Sequence, residues 1–207
     1  MDFNASTLFD DMNFQQLSDT CMTCTRCKLH QTRTNVVFGR GLVPCTVMVI
    51  GEGPGRDEDS QGIPFVGRAG QLLTDIFKSV GIDREADIYI TNIVKCRPPN
   101  NRNPEEDEIK ACQPYLIRQI HLIQPKIILL LGAQALKAVL DEKTGITKVR
   151  GRWYKLHVDY MDEKLSVMPM FHPSYLLRNE SKAKGSPKWL TWQDIKEVKS
   201  ALDFYRH

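Results

Sequence analysis

The chain has 207 residues, 42% of them hydrophobic and 26% charged, with a formal net charge of +3. This is ordinary globular composition, long enough for one domain to bury its own core, and it excludes disulfide miniproteins, fibrous repeats and disordered chains. The longest purely aliphatic run, Ile127 to Leu131, falls far short of the roughly 18 residues needed to cross a bilayer, so no membrane partner is expected.

In chain order, residues 1–20 carry four acids (Asp2, Asp10, Asp11, Asp19) and no Lys or Arg, which reads as a tail or a short helix. The remainder, 21–207, reads as one domain, more basic than the whole and suited to a polyanionic partner. Thr46 to Ile50 is a buried strand ending in the tight loop Gly51-Glu52-Gly53-Pro54-Gly55. The acids Asp57, Glu58 and Asp59 follow and read as a solvated run. A helix from Ala69 to Val80 presents Leu72, Leu73, Ile76, Phe77 and Val80 at helical spacing, and Gly81 closes it. Ile88 to Val94 is the next strand, then a Pro/Asn-rich loop, then a helix from Pro104 to about Ile123 with Pro104 at its first position and acids in its first turn. Lys126 to Leu131 is the third strand, and Gly132 opens a helix to about Leu140. Arg152 to Val158 and Leu165 to Phe171 read as further strands, and a helix from about Thr191 to Tyr205 ends the chain.

Strands alternating with helices predict a three-layer α/β/α domain with a mainly parallel central sheet. Ligands of such sheets gather at the carboxyl ends of the strands, which puts Gly51–Gly55, Asn92–Arg97 and His172–Arg178 on one rim.

The N-terminus shows no basic stretch followed by an apolar one, so a cytoplasmic protein is expected, and its six cysteines are then ligands, nucleophiles or core residues rather than disulfides. Cys21, Cys24 and Cys27 are spaced C-x2-C-x2-C; Cys96 ends a strand and Cys112 lies on the next helix, so the two segments can share a metal or cluster. Spacing alone does not separate zinc from iron–sulfur ligation. Cys45 reads as a small buried hydrophobe. A thioredoxin-like pair lacks the strand before and the helix after its C-x2-C.

The glycine loop is neither G-x-G-x-x-G nor a Walker loop, and Pro54 removes a backbone donor where a phosphate cradle needs one. Phe65 offers a ring that can stack on a planar ligand. Asn92 offers a donor and an acceptor in one plane, as reading a base edge requires. His172 can donate to a developing anion, with Leu176 or Leu177 as a wedge and Arg178 on a phosphate. Lys95, Arg97, Arg102, Lys182, Lys184 and Lys188 are further phosphate candidates.

Taken in order, these motifs resemble the family 4 uracil-DNA glycosylases, the iron–sulfur branch of that superfamily, over residues 24–205. The resemblance rests on Cys24-x2-Cys27 with Arg33 and Val37-Phe38-Gly39, on the glycine loop, and on Gly62-Ile63-Pro64-Phe65-Val66-Gly67-Arg68-Ala69-Gly70-Gln71-Leu72-Leu73. It continues through Thr91-Asn92, Lys95-Cys96-Arg97-Pro98-Pro99, Cys112 and His172-Pro173-Ser174-Tyr175-Leu176-Leu177-Arg178. It implies a structural 4Fe-4S cluster on Cys24, Cys27, Cys96 and Cys112, with Cys21 left over or substituting. It also implies a monomer that excises uracil from single- or double-stranded DNA, leaving an abasic site. Phe65 would then stack on uracil, Asn92 would read its edge, and Gly51, Glu52 and Gly53 would contact the base and hold a water. His172 would stabilise the departing anion, with Glu52 or Asp59 managing the water. The alternatives are a related glycosylase for another deaminated base, or a non-catalytic cluster-bearing DNA-binding protein. The covalently trapping type carries a His in the Lys95–Asn103 loop, and this chain has none.

Overall fold

A computed structural model describes residues 8–158 and 164–206; Asp2 of the acidic N-terminus lies outside them. Runs of apolar residues that are buried on every side chain form the four central strands: β2 (Val47–Gly51), β3 (Ile88–Asn92), β4 (Ile127–Leu131) and β6 (Leu165–Met170). Such continuous patterning is what a parallel sheet covered on both faces demands. Two short strands, β1 (Arg40–Gly41) and β5 (Tyr154–Leu156), pair antiparallel at the edges, giving the order β1-β3-β2-β4-β6-β5. The predicted three-layer architecture with a mainly parallel sheet is therefore present.

The helices are α1 (Phe14–Met22), α2 (Arg56–Gln61), α3 (Arg68–Lys78), α4 (Glu106–Ile123), α5 (Ala133–Leu140), α6 (Ile146–Val149), α7 (Pro173–Leu177) and α8 (Pro187–Arg206). On one sheet face Met48, Ile50, Ile128 and Leu130 pack with Leu116 and Ile120 of α4 and Val139 of α5. On the other, Val47, Val49, Leu129 and Met168 pack with Leu73 and Phe77 of α3 and Ile195 and Val198 of α8. A third core gathers Phe9, Leu17, Cys21 and Leu29 against Cys96 and Tyr115.

Several boundaries differ from expectation for identifiable reasons. The division after residue 20 runs through α1, whose Leu17 and Cys21 are buried, so the acidic segment is docked on the body. α4 starts two residues later than Pro104 because Glu105 is its N-cap and Glu108 reaches back to the Glu105 amide at 2.8 Å. α8 starts earlier, at Pro187, a residue suited to the first helical turn. The acidic run at residues 57–59 is the first turn of α2, where carboxylates complement the helix dipole.

β2 pairs in parallel with β3 on one side and β4 on the other, so the connections leave in opposite directions at its carboxyl end. A crevice opens at that switch point.

Candidate functional site

The four central strands each deliver residues to one cavity of about 590 Å³. β2 supplies Glu52 to Gly55, β3 supplies Asn92, β4 supplies Gly132 and the residues after it, and β6 supplies His172; Phe65 enters from the loop before α3.

Phe65 is buried and has φ +52°, a left-handed conformation that costs a residue with a side chain about 1 kcal/mol or more. Three neighbours hold it there. Arg84 donates to the Phe65 carbonyl at 2.5 Å and also to that of Pro64. Glu58 accepts from the amides of Val66 and Gly67, both at 2.9 Å, and from Gly55 at 3.1 Å, lashing the glycine loop to the Phe65 turn. Gly70 must lack a side chain, since a Cβ there would stand 1.8 Å from the Phe65 carbonyl oxygen. The ring so placed lies 5.7 Å from the His172 ring, with the planes 36° apart.

Asn92 is buried, and its Oδ1 has no hydrogen-bond partner among the described residues. Leaving such an atom unpaired costs about 1–3 kcal/mol, so it marks a place where a ligand donor belongs. Gly51 lies beneath the pocket, where it makes room for both side chains: a Cβ would stand 2.4 Å from Asn92 Oδ1 and 2.6 Å from Phe65 Cζ. Gly51→Ala is therefore expected to destabilise the fold by about 1–3 kcal/mol through overpacking, read as a lower midpoint in urea with unchanged slope. An unchanged midpoint would mean that ring and amide move aside freely.

His172 caps α7. Its Nδ1 accepts from the Ser174 amide at 3.2 Å and lies 2.8 Å from Ser174 Oγ, so the neutral ring carries its proton on Nε2. Burial, with Arg178 nearby, lowers its pKa to about 4. Glu52 lines the same cavity, and burial holds its carboxyl above the usual value.

Two expectations need correction. Asp59 does not reach the cavity: it is buried with its carboxylate accepting from the amides of Thr34 at 2.9 Å and Asn35 at 3.3 Å, and so fastens α2 to the preceding segment. Its neighbour Glu58 does line the cavity; the Gly55-x-x-Glu58 capping spacing was the signal for it. Lys95 is 1% exposed and is no phosphate contact. Leu176 is also 1% exposed, which leaves the partly exposed Leu177 as the wedge candidate. Arg102 and Arg178 stand at the cavity, Arg102 pinned by both Glu108 oxygens at 2.6 and 2.8 Å. Arg56, Arg68 and Arg97 flank an adjoining hollow of about 310 Å³, and Lys182 and Lys184 are exposed. Arg84, essential to the Phe65 turn, had no local signature.

The predicted cysteines converge. Cys21, Cys24, Cys27, Cys96 and Cys112 line one narrow cavity beneath α4. Arg33 Nη1 donates to Cys96 Sγ at 3.2 Å and the Lys95 amide to Cys112 Sγ at 3.3 Å. Burial pushes the Cys112 thiol up to about 12 and raises those of Cys21 and Cys96 as well. Among the described residues no three His, Cys, Asp or Glu are arranged to hold a metal ion. Cys45 is buried apart from them, its thiol donating to the Val47 carbonyl.

The sequence matches the family described as the uracil DNA glycosylase superfamily over residues 38–196. It is 48% identical to a type-4 uracil-DNA glycosylase of Thermotoga maritima, covering 90% of this chain and 93% of the relative. It is 43% identical to a type-4 enzyme of Sulfurisphaera tokodaii, covering 90% and 84%, and 44% identical to one of Saccharolobus solfataricus, covering 92% and 87%.

Proposed function

The chain belongs to the uracil-DNA glycosylase superfamily, and on that footing we propose that it removes uracil from DNA by hydrolysing the N-glycosidic bond, leaving an abasic site. The observation that carries this is the unpartnered Asn92 Oδ1 in a cavity whose other walls are an aromatic ring and a neutral imidazole.

A base inside a duplex is out of reach, so the nucleotide is flipped or taken from a single strand. Uracil stacks on Phe65. Its N3–H donates to Asn92 Oδ1 and its O4 accepts from the same amide; cytosine exchanges donor and acceptor and leaves both unpaired. As the glycosidic bond lengthens, negative charge gathers on uracil O2 and positive charge on the sugar. The Nε2–H of His172 stabilises that oxygen without giving up its proton. Glu52, the carboxylate at the turn, orients the attacking water; Asp59, fastened elsewhere, takes no part. Arg178, Arg102 and the Arg56–Arg68–Arg97 hollow bind flanking phosphates, and Leu177 fills the gap left in the stack. The substrate is uracil-bearing DNA, met by a single chain.

The thiol cavity fits a 4Fe-4S cluster. Four sulfurs from two segments, with N–H donors aimed at two of them, suit a polynuclear group on Cys24, Cys27, Cys96 and Cys112. Cys21, packed in the apolar core with Phe9 and Leu17, is the fifth thiol. The group's contribution is structural: it ties the N-terminal segment to α4. A cytoplasmic setting, where thiols stay reduced, suits these ligands.

The test is a labelled oligonucleotide with one uracil, followed by alkali cleavage of abasic product. Cutting at uracil and not at cytosine or thymine is expected. Iron-loaded protein that leaves uracil untouched in both single and double strands overturns the reading.

A further inference from the structure

We infer that Lys95 is a positioning residue that couples the cysteine centre to the base-reading Asn92. The inference rests on the proposed function, since it takes the thiol cavity as a cluster site and Asn92 as the reader of uracil.

Lys95 is a cation in an unusual place. It lies in the loop after β3, is 1% exposed, and lines the cysteine cavity rather than the DNA face. Its two ends make different connections. The backbone amide donates to Cys112 Sγ at 3.3 Å. The side chain turns back under β3, and Nζ donates to the Asn92 carbonyl at 2.7 Å and to Thr91 Oγ1 at 2.6 Å. Thr91 Oγ1 donates in turn to the Phe38 carbonyl at 2.8 Å. One residue thus joins a proposed cluster sulfur to the peptide of the residue whose amide reads the base.

A buried ammonium needs compensation, because desolvating a charge costs several kcal/mol. The side chains of Cys21, Cys96 and Cys112 line the same cavity as Lys95. Thiolates holding a cluster would supply the missing negative charge, and the ammonium would partly offset theirs. The neighbouring peptides leave little slack: the Ile93 amide donates to the Gly51 carbonyl at 2.9 Å and the Val94 amide to the Glu52 carbonyl at 3.3 Å. A shift of the sulfurs is therefore passed to the Asn92 peptide rather than absorbed. A cluster held by those sulfurs would in this way bear on the position of the Asn92 amide.

The test compares Lys95→Met and Thr91→Val with wild type in iron content, cluster reduction potential, oligonucleotide binding and single-turnover uracil excision. Lys95→Met is expected to keep its iron, to shift the potential to more negative values as a cation is lost beside the cluster, and to excise uracil about tenfold or more slowly with DNA binding unchanged. Thr91→Val keeps the cation but removes one of its acceptors. Its potential should stay put while excision falls by a smaller factor.

A loaded Lys95→Met protein with wild-type potential or wild-type excision overturns the inference. If that variant fails to hold iron, Thr91→Val decides, and a wild-type rate there overturns it. Wild-type protein that holds iron but does not excise uracil marks failure of the functional reading, a result distinct from a variant that matches an active wild type.

Discussion

His172→Ala will lower the single-turnover rate of uracil excision by about 10²–10³-fold, the usual cost of removing one preorganised donor to a developing oxyanion. The tautomer is fixed by the fold, since Ser174 offers its amide to Nδ1 and leaves Nε2–H for the ligand. Binding of uracil-containing oligonucleotide should change little, because the donor matters most once charge has formed. The pH dependence gives a second readout. With the pKa of His172 at about 4 instead of the usual 6.5, the ring is neutral across the working range, so the wild-type rate should show no inflection near 6.5. The same shift makes the unfolded chain bind a proton between about pH 6.5 and 4 where the folded one does not. Stability is therefore lost as pH falls through that window, and His172→Ala should flatten that dependence. A wild-type rate for His172→Ala would remove the imidazole from the chemistry.

Asn92→Ala will cost about 10²-fold or more in excision and abolish inhibition by free uracil, because both hydrogen bonds that fix the base edge disappear together. Its effect on stability should run against its effect on activity. Most buried substitutions destabilise, but Asn92 carries an oxygen with no partner, and deleting it removes a desolvation penalty of about 1–3 kcal/mol that partly offsets the new cavity. The urea midpoint should therefore move by less than that of Gly51→Ala. A variant that loses stability in proportion to activity would show that Asn92 is structural.

The sheet and the ends of its strands were legible because continuous apolar runs stopped by glycine, asparagine or histidine leave few other solutions; Asn92 and His172 sit at such ends, whereas Phe65, in the loop before α3, lies outside that pattern and took its role from the family resemblance. What sequence reasoning lost depended on direction. Glu58 and Asp59 are adjacent acids, yet one turns toward the glycine loop and the other toward Thr34, a choice made by helix phase and by amides far along the chain. Lys95 looks like a phosphate contact in a Lys-Cys-Arg string, but strand alternation carries over into the loop and turns it under β3. Arg84 reaches back 19 residues to the Phe65 carbonyl, a contact without a local pattern. Likewise, the docking of α1 depends on α4, which no reading of the first 20 residues reveals.

That docking sets an order of events during synthesis. Arg26 donates to the carbonyl of Ala111, 85 residues further on, and α1 packs against Tyr115 and its neighbours. At about 5–20 residues per second, the N-terminal thiols leave the ribosome several seconds before their counterparts exist. They wait without the core that buries them in the finished fold. Docking of the N-terminal segment must therefore follow completion of α4.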